Sequence, residues 1–306
     1  MIDEQKFLCI IYCVLGGIAQ LARVLDWQSR GHGFESHYLH QKDDCECNRL
    51  FYKNRIITYY LRGFIMRILI IRHGDPNYEI DGLTDKGKIE AELLKNRLVK
   101  EKIDAVYCSV LGRAKATIAP TLEAKNLTAE YCDWLREFDY AKVKLPYLEC
   151  EKCAWDFLPE YIDSDPLLLS SDNWVNANVI KNSNVSECYN DVCLKFDKVL
   201  EKHGYKRDKF NYKVTESNHD TIVFTCHFGL GSILISHLLN CSPFAILQHT
   251  FLAPTSVTTF YTEERAEGIA SFRANAIGDI SHLYIQNEVP SFSGRFCECF
   301  KDSERH

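Results

Sequence analysis

The clearest hydrophobic signal in the chain is Ile68-Leu69-Ile70-Ile71, a short unbroken apolar run that stops abruptly at Arg72, His73 and Gly74. A run this short, with no polar alternation, predicts a strand buried on both faces of a parallel sheet and followed by a loop. Thr221 to Cys226 (TIVFTC) repeats the pattern and stops at His227, Phe228 and Gly229. Ligands of open α/β sheets bind beyond the carboxyl ends of the strands. Two strands that each deliver a histidine to one sheet edge therefore mark where chemistry is to be sought.

Between these runs the period alternates. Ile89, Leu93, Leu94 and Leu98 have helical spacing, with Thr84 placed to cap the helix by accepting from a first-turn amide. Asp104–Cys108 predicts a second strand, Leu111–Lys125 a helix, and Leu127–Cys132 a third strand that leads into Leu135-Arg136-Glu137. Strands alternating with helices imply an α/β fold: a three-layer α/β/α sandwich with a mostly parallel central sheet. Residues 138–220 break the rhythm with Pro146, Pro159 and Pro166, Trp155 and Trp174, and one convincing helix at Ser186–His203. That helix carries Val192, Phe196, Val199 and Leu200 on one face and stops at Gly204. Lying between two strand ends, this insertion predicts a largely helical cap over the pocket, with peripheral decoration as the alternative. A helix from Phe228 to Leu239 and β-rich runs at Ser256–Thr262 and Ile269–Ala276 follow, then a polar tail from Arg295 to His306.

The first 65 residues do not resemble the rest. Phe7–Ile18 is apolar but shorter than the roughly 20 residues a spanning helix needs, and Asp3 and Glu4 outweigh Lys6 in what would be a signal peptide's basic end. Gly16–His40 looks like the conceptual translation of a tRNA gene: Gly33-Phe34-Glu35-Ser36 can be encoded by GGN-TTC-GAA-TCC, a T-arm, and Ile18–Arg23 fits a D-arm. A genuine extension with an amphipathic helix around Ala19–Trp27 is the alternative. The expectation is a mis-set start, with translation beginning at Met66 and one domain covering 66–306.

Composition narrows the class. The 306 residues are 46% hydrophobic with a net charge of −6, which suits a globular protein with ample core and argues against nucleic-acid binding. It leaves anionic substrates open, because a pocket can be positive on a negative protein. The 14 cysteines lack regular spacing in a chain this long, so reduced thiols in a cytoplasmic protein are expected. No membrane span is read, and oligomeric state is left open.

The chemistry concentrates in four places: Arg72-His73-Gly74, then Ser109-x-x-x-Arg113-Ala114-x-x-Thr117, then Leu135-x-Glu137, and the late strand ending in His227. Together they resemble the histidine phosphatase superfamily, of phosphoglycerate mutase-like fold. Phe228 after His227 points to the branch without a His-Asp motif. The resemblance covers roughly residues 66–137 and 221–285, and it implies hydrolysis of a phosphomonoester through a phosphohistidine.

Each residue type suits that role. Phosphate monoesters hydrolyse so slowly that enzymes supply up to roughly 10²¹ in rate, and a covalent intermediate divides the barrier. His73 is the candidate nucleophile, with Arg72 beside it disfavouring the imidazolium. Arg72 and Arg113 offer planar forks to phosphoryl oxygens, joined by a protonated His227 and by Gly74 as phosphate-binding groups. A pair of unit charges at 4 Å gains about 4 kcal/mol at an effective dielectric of 20. Arg113 could instead be an ordinary exposed helix residue. Glu137 is the candidate proton donor, its pKa raised in such a pocket, although Asp139 could exchange roles with it.

Departures from the pattern matter too. Asp75-Pro76-Asn77-Tyr78-Glu79 replaces the segment that follows the nucleophile in mutases, and CHFG replaces HGG at the second histidine, so transfer to water is favoured over mutase activity. A phosphoglycerate mutase-type transfer and a non-catalytic phospho-ligand binding protein remain the alternatives. No cofactor and no metal are expected: Cys150-x-x-Cys153 lacks a second pair, and Cys297-x-Cys299 is one residue too tight for zinc. Cys226 is either redox-sensitive or core, Trp155 and Trp174 either line the pocket mouth or fill the cap core, and His282 is read as structural. The expected partner is a small phosphorylated metabolite, with neither nucleic acid nor membrane.

Overall fold

The computed structural model of the protein describes residues 66–294 except 156. The expectations for residues 1–65 and 295–306, including the translation start and the Cys297-x-Cys299 pair, lie outside them.

Strand β1 (Arg67–Arg72) is buried on both sides, Ile68 and Ile70 packing into one apolar core and Leu69 and Ile71 into a second. It pairs in parallel with β10 (Thr221–Cys226), with Arg72 opposite Cys226. That register places His73 and His227, each one residue further on, side by side. β10 pairs in parallel with β4 (Ala105–Ser109), and β4 with β5 (Glu130–Cys132).

On its other side β1 meets β11 (Val257–Ala266), then β12 (Ile269–Asp279), β9 (Asn211–Val214) and β8 (Tyr205–Asp208), every one antiparallel to its neighbour. The sheet is thus mixed and mostly antiparallel rather than mostly parallel as expected. The reason lies in the connections. Parallel neighbours need a crossover of about a dozen residues or more, whereas a two-residue link makes a hairpin. Only Glu267-Gly268 joins β11 to β12, and only Lys209-Phe210 joins β8 to β9.

Helices α1 (Asp85–Leu98) and α2 (Gly112–Lys125) cover one face, with Leu94, Leu98, Ala114 and Ile118 against Leu69, Val106, Val223 and Val257. The capping hydroxyl of Thr84 accepts from the Gly87 amide at 3.0 Å, as expected. The buried face of α1 differs: Ile89 is 51% exposed and Glu90 is buried in its stead. A carboxylate tolerates that place because it accepts from the amides of Asp75 (2.8 Å) and Ser291 (3.1 Å).

The opposite face is covered by α5 (Phe228–Leu239), α6 (Pro243–His249) and a long helix between residues 138 and 220. That insertion is of two kinds. Its first part holds a two-stranded ribbon, β6 (Lys142–Val143) with β7 (Lys152–Cys153), the short helix α3 (Pro159–Ser164) and single 3₁₀ turns. Its second part, α4 (Val185–Lys202) and the hairpin β8–β9, belongs to the layers. Phe196 of α4 meets Phe224 of β10 edge-on at 5.1 Å. After β12 comes the last described helix, α7 (Ser281–Tyr284). Among the described residues no helix is long and apolar enough to cross a membrane.

Candidate active site

His73 and His227 leave adjacent strands with their ring centroids 5.0 Å apart and their planes tilted by 57°. Both rings are buried. His73 Nδ1 lies 2.7 Å from its neighbour's carbonyl, Gly74 O, which can only accept, so Nδ1 carries the proton and Nε2 keeps the lone pair. His227 Nε2 shares a 2.8 Å hydrogen bond with the Ser109 hydroxyl at the end of β4, while its Nδ1 is buried without a protein partner.

Burial, and then the charge of Arg72, hold the His73 pKa well below 6.5, with Arg113 acting the same way and the bond to Gly74 opposing. Burial likewise leads in lowering His227, followed by His73, Arg113 and Arg72. Burial, His73 and three arginines (Arg136 is the third) thus disfavour the imidazolium, which the sequence reading assigns to His227 only opposite a phosphate dianion.

Arg72 Nη1 donates to Leu252 O at 2.5 Å, and its guanidinium lies over the rings of Phe228 and Phe251. Nε has no protein partner. Arg113, in the first turn of α2, is not the exposed helix residue of the alternative reading: its side chain is 11% exposed. Its Nη1 donates to Asp81 Oδ1 at 2.7 Å, and its Nε too is buried and unpartnered. Gly74 lies at the site but donates its amide to Thr117 Oγ1 at 2.8 Å, and Thr117 in turn donates to Arg113 O at 2.7 Å. That N–H is thus already engaged inside the protein.

Glu137 faces the N-terminus of α5. Its Oε1 accepts from the amides of Phe138 (2.8 Å) and Leu230 (3.1 Å). Burial raises its pKa, and the two amides and both arginines only partly offset this. Gly229 makes the approach possible: a Cβ there would lie 2.8 Å from Glu137 Oε1 and 2.6 Å from Trp155 Cζ3. Asp139 is exposed and away from these bonds, so Glu137 rather than Asp139 is the carboxyl at the cluster.

The remaining candidates separate cleanly. Trp155 borders the site, edge-on to Phe228 at 6.2 Å, whereas Trp174 packs into core against Tyr189 and Phe244. Cys226 is buried, which pushes its thiol pKa up and makes it inert core. His282 bonds Thr255 Oγ1 at 3.1 Å, with its pKa lowered by burial to about 4. Among the described residues no group of three or more His, Cys, Asp or Glu could hold a metal. Sequence reasoning missed Asp81, whose Asp81-Gly82 pair signalled a turn but not its partner.

The sequence profile of the histidine phosphatase superfamily (branch 1) matches residues 68–275. Over 233 residues the chain is 24% identical to a Schizosaccharomyces pombe protein named "Probable phosphatase", covering 71% of this chain and 95% of that one. It is 29% identical over 85 residues to Phosphoserine phosphatase 1 of Hydrogenobacter thermophilus, covering 25% of this chain and 40% of that one. Among solved structures, Entamoeba histolytica phosphoserine phosphatase in complex with phosphoserine aligns with a TM-score of 0.46 at 18% identity, over 71% of this chain and 99% of the other. With a profile match that spans both histidine-bearing strands and the segment between them, the chain belongs to the histidine phosphatase superfamily, branch 1.

Proposed function

We propose that the protein hydrolyses phosphomonoesters of a small phosphorylated metabolite through a phosphohistidine at His73, without a metal. One observation carries the reading: two buried imidazoles with ring centroids 5.0 Å apart stand beside buried Arg72 and largely buried Arg113, whose charges disfavour their protonation. Neutral His73 Nε2 attacks phosphorus, and the N–P bond forms as the bond to the leaving oxygen breaks. That oxygen takes the broken bond's electron pair and the proton of Glu137. Water then attacks the phosphohistidine and gives its proton to Glu137, and phosphate leaves with His73 neutral again.

Arg72, Arg113 and His227 hold the non-bridging oxygens, where charge accumulates in the transition state. A dianion beside His227 reverses the balance that keeps its ring neutral, so substrate binding is expected to draw a proton onto it. The metabolite itself is set by the residues around the leaving group, and Trp155, beside Gly229 and Phe228, is one candidate for that contact.

The test is turnover of p-nitrophenyl phosphate in EDTA, with trapping of an acid-labile, base-stable phosphoenzyme. His73→Ala should lose both while keeping its fold. A phosphoenzyme persisting in that variant would refute the assignment. Isomerisation of phosphoglycerate without phosphate release would favour the mutase alternative.

A further inference from the structure

Arg113 is gripped from one side only. Asp81 Oδ1 accepts from its Nη1 at 2.7 Å, and the ring of Tyr78 lies 5.4 Å from its guanidinium carbon. Nε, on another edge of the same planar group, is buried and has no protein partner. The second carboxylate oxygen of Asp81 accepts from the Gly112 amide at 2.6 Å, at the open end of α2. The backbone there is committed to this contact: Asp81 adopts φ +46, and a Cβ on Gly112 would lie 2.0 Å from Asp81 O. The turn after β2 (Pro76–Asn77) and before β3 (Gly82–Leu83) is thus fastened to the helix that carries Arg113.

From this geometry we infer that Asp81 is a positioning residue for phosphate binding: it holds Nη1 of Arg113 so that the Nε edge is presented to the phosphoryl group. The inference rests on the proposed role of Arg113. Asp81 does not compete with the phosphate for the guanidinium, because it occupies a different nitrogen from the one left without a partner. An arginine has five N–H donors in a rigid fork, so fixing one edge orients the other. The side chain of Asp81 is 42% exposed, and an ion pair of that exposure adds little stability. Its effect belongs to orientation.

Asp81→Asn separates the two bonds. Its amide oxygen can still accept from Gly112, but its NH₂ group meets the Arg113 donors with another donor. Asp81→Ser draws the side-chain oxygen back from the guanidinium by about one bond length, so it serves where Asp81→Asn folds poorly. With p-nitrophenyl phosphate we expect about a tenfold loss in kcat/KM for either variant, within the coupling range of contacting residues. Inhibition by inorganic phosphate should weaken in parallel, with the melting temperature unchanged.

In an Arg113→Ala background the same substitutions should have no further effect. Equal losses in both backgrounds would show that Asp81 acts through the fold and would overturn the inference. A loss in Arg113→Ala with none in Asp81→Asn or Asp81→Ser would overturn the positioning role and leave the site reading standing. Wild-type activity in Arg113→Ala would overturn both.

Discussion

His73 is buried beside Arg72, and both facts push its ring toward the neutral form. kcat/KM reports the free enzyme, so the acid limb that His73 contributes should lie well below pH 6.5. An acid limb centred at or above 6.5 would contradict a neutral buried nucleophile. Glu137 moves in the opposite sense. Its raised pKa keeps the proton into higher pH than an ordinary carboxyl, and activity should fall as pH rises past that pKa. Glu137→Gln should remove this alkaline limb and lower kcat by about 10²–10⁴, the usual share of a general acid. Gly229→Ala tests the same carboxyl indirectly. Its methyl must displace either the Trp155 ring or Glu137, so kcat should drop by at least about tenfold. An unchanged kcat would mean that the carboxyl need not sit where it does.

At the scale of elements, the strands that bear the site are also the best anchored. β10 is buried throughout, and the His73 amide donates to Cys226 O at 3.0 Å, tying the two histidine-bearing ends together. Helix α4 lies within the insertion by sequence but packs as part of the core. Phe196→Ala should therefore cost about 3–5 kcal/mol in urea unfolding, as for a buried aromatic. A cost below about 1 kcal/mol would return α4 to the periphery. The apolar runs of β1, β10 and α5 were readable because burial on all sides leaves few polar positions in them. The hairpin β8–β9 was not: three of the four residues in Tyr205-Lys206-Arg207-Asp208 are charged, as suits outer strands of a sheet. The place of Glu90 in α1 was equally hidden, since a helical period cannot register a carboxylate that terminates two distant amides.

Across the whole described chain, the cluster draws on residues 72–73, 113, 137 and 227, and it exists only when β4, β10 and β1 are paired. Hydrogen exchange should reflect this. Amides of β1 and β10 should exchange at the rate of global unfolding, and those of residues 144–155 and 157–184, which pair with no strand of the main sheet, should exchange earlier. Simultaneous exchange of both sets would mean that this segment folds as one unit with the sheet.

The family was legible in the sequence itself, because Arg72-His73-Gly74, Ser109 to Thr117, Leu135-x-Glu137 and His227 stand in order along the chain, each where a strand ends or a helix begins. So were the layers, through the alternation of strand and helix periods. Only the tertiary structure decided the sense of the outer strands, the burial that disfavours the His227 imidazolium, the engagement of the Gly74 amide and the grip of Asp81 on Arg113. The physical reason is separation along the chain. Partners 32 positions apart, as in Asp81 with Arg113, or 118 apart, as in His227 with Ser109, leave no periodicity to read. Burial, which sets the direction of the histidine shifts, is likewise a property of everything packed around a ring rather than of its neighbours in sequence.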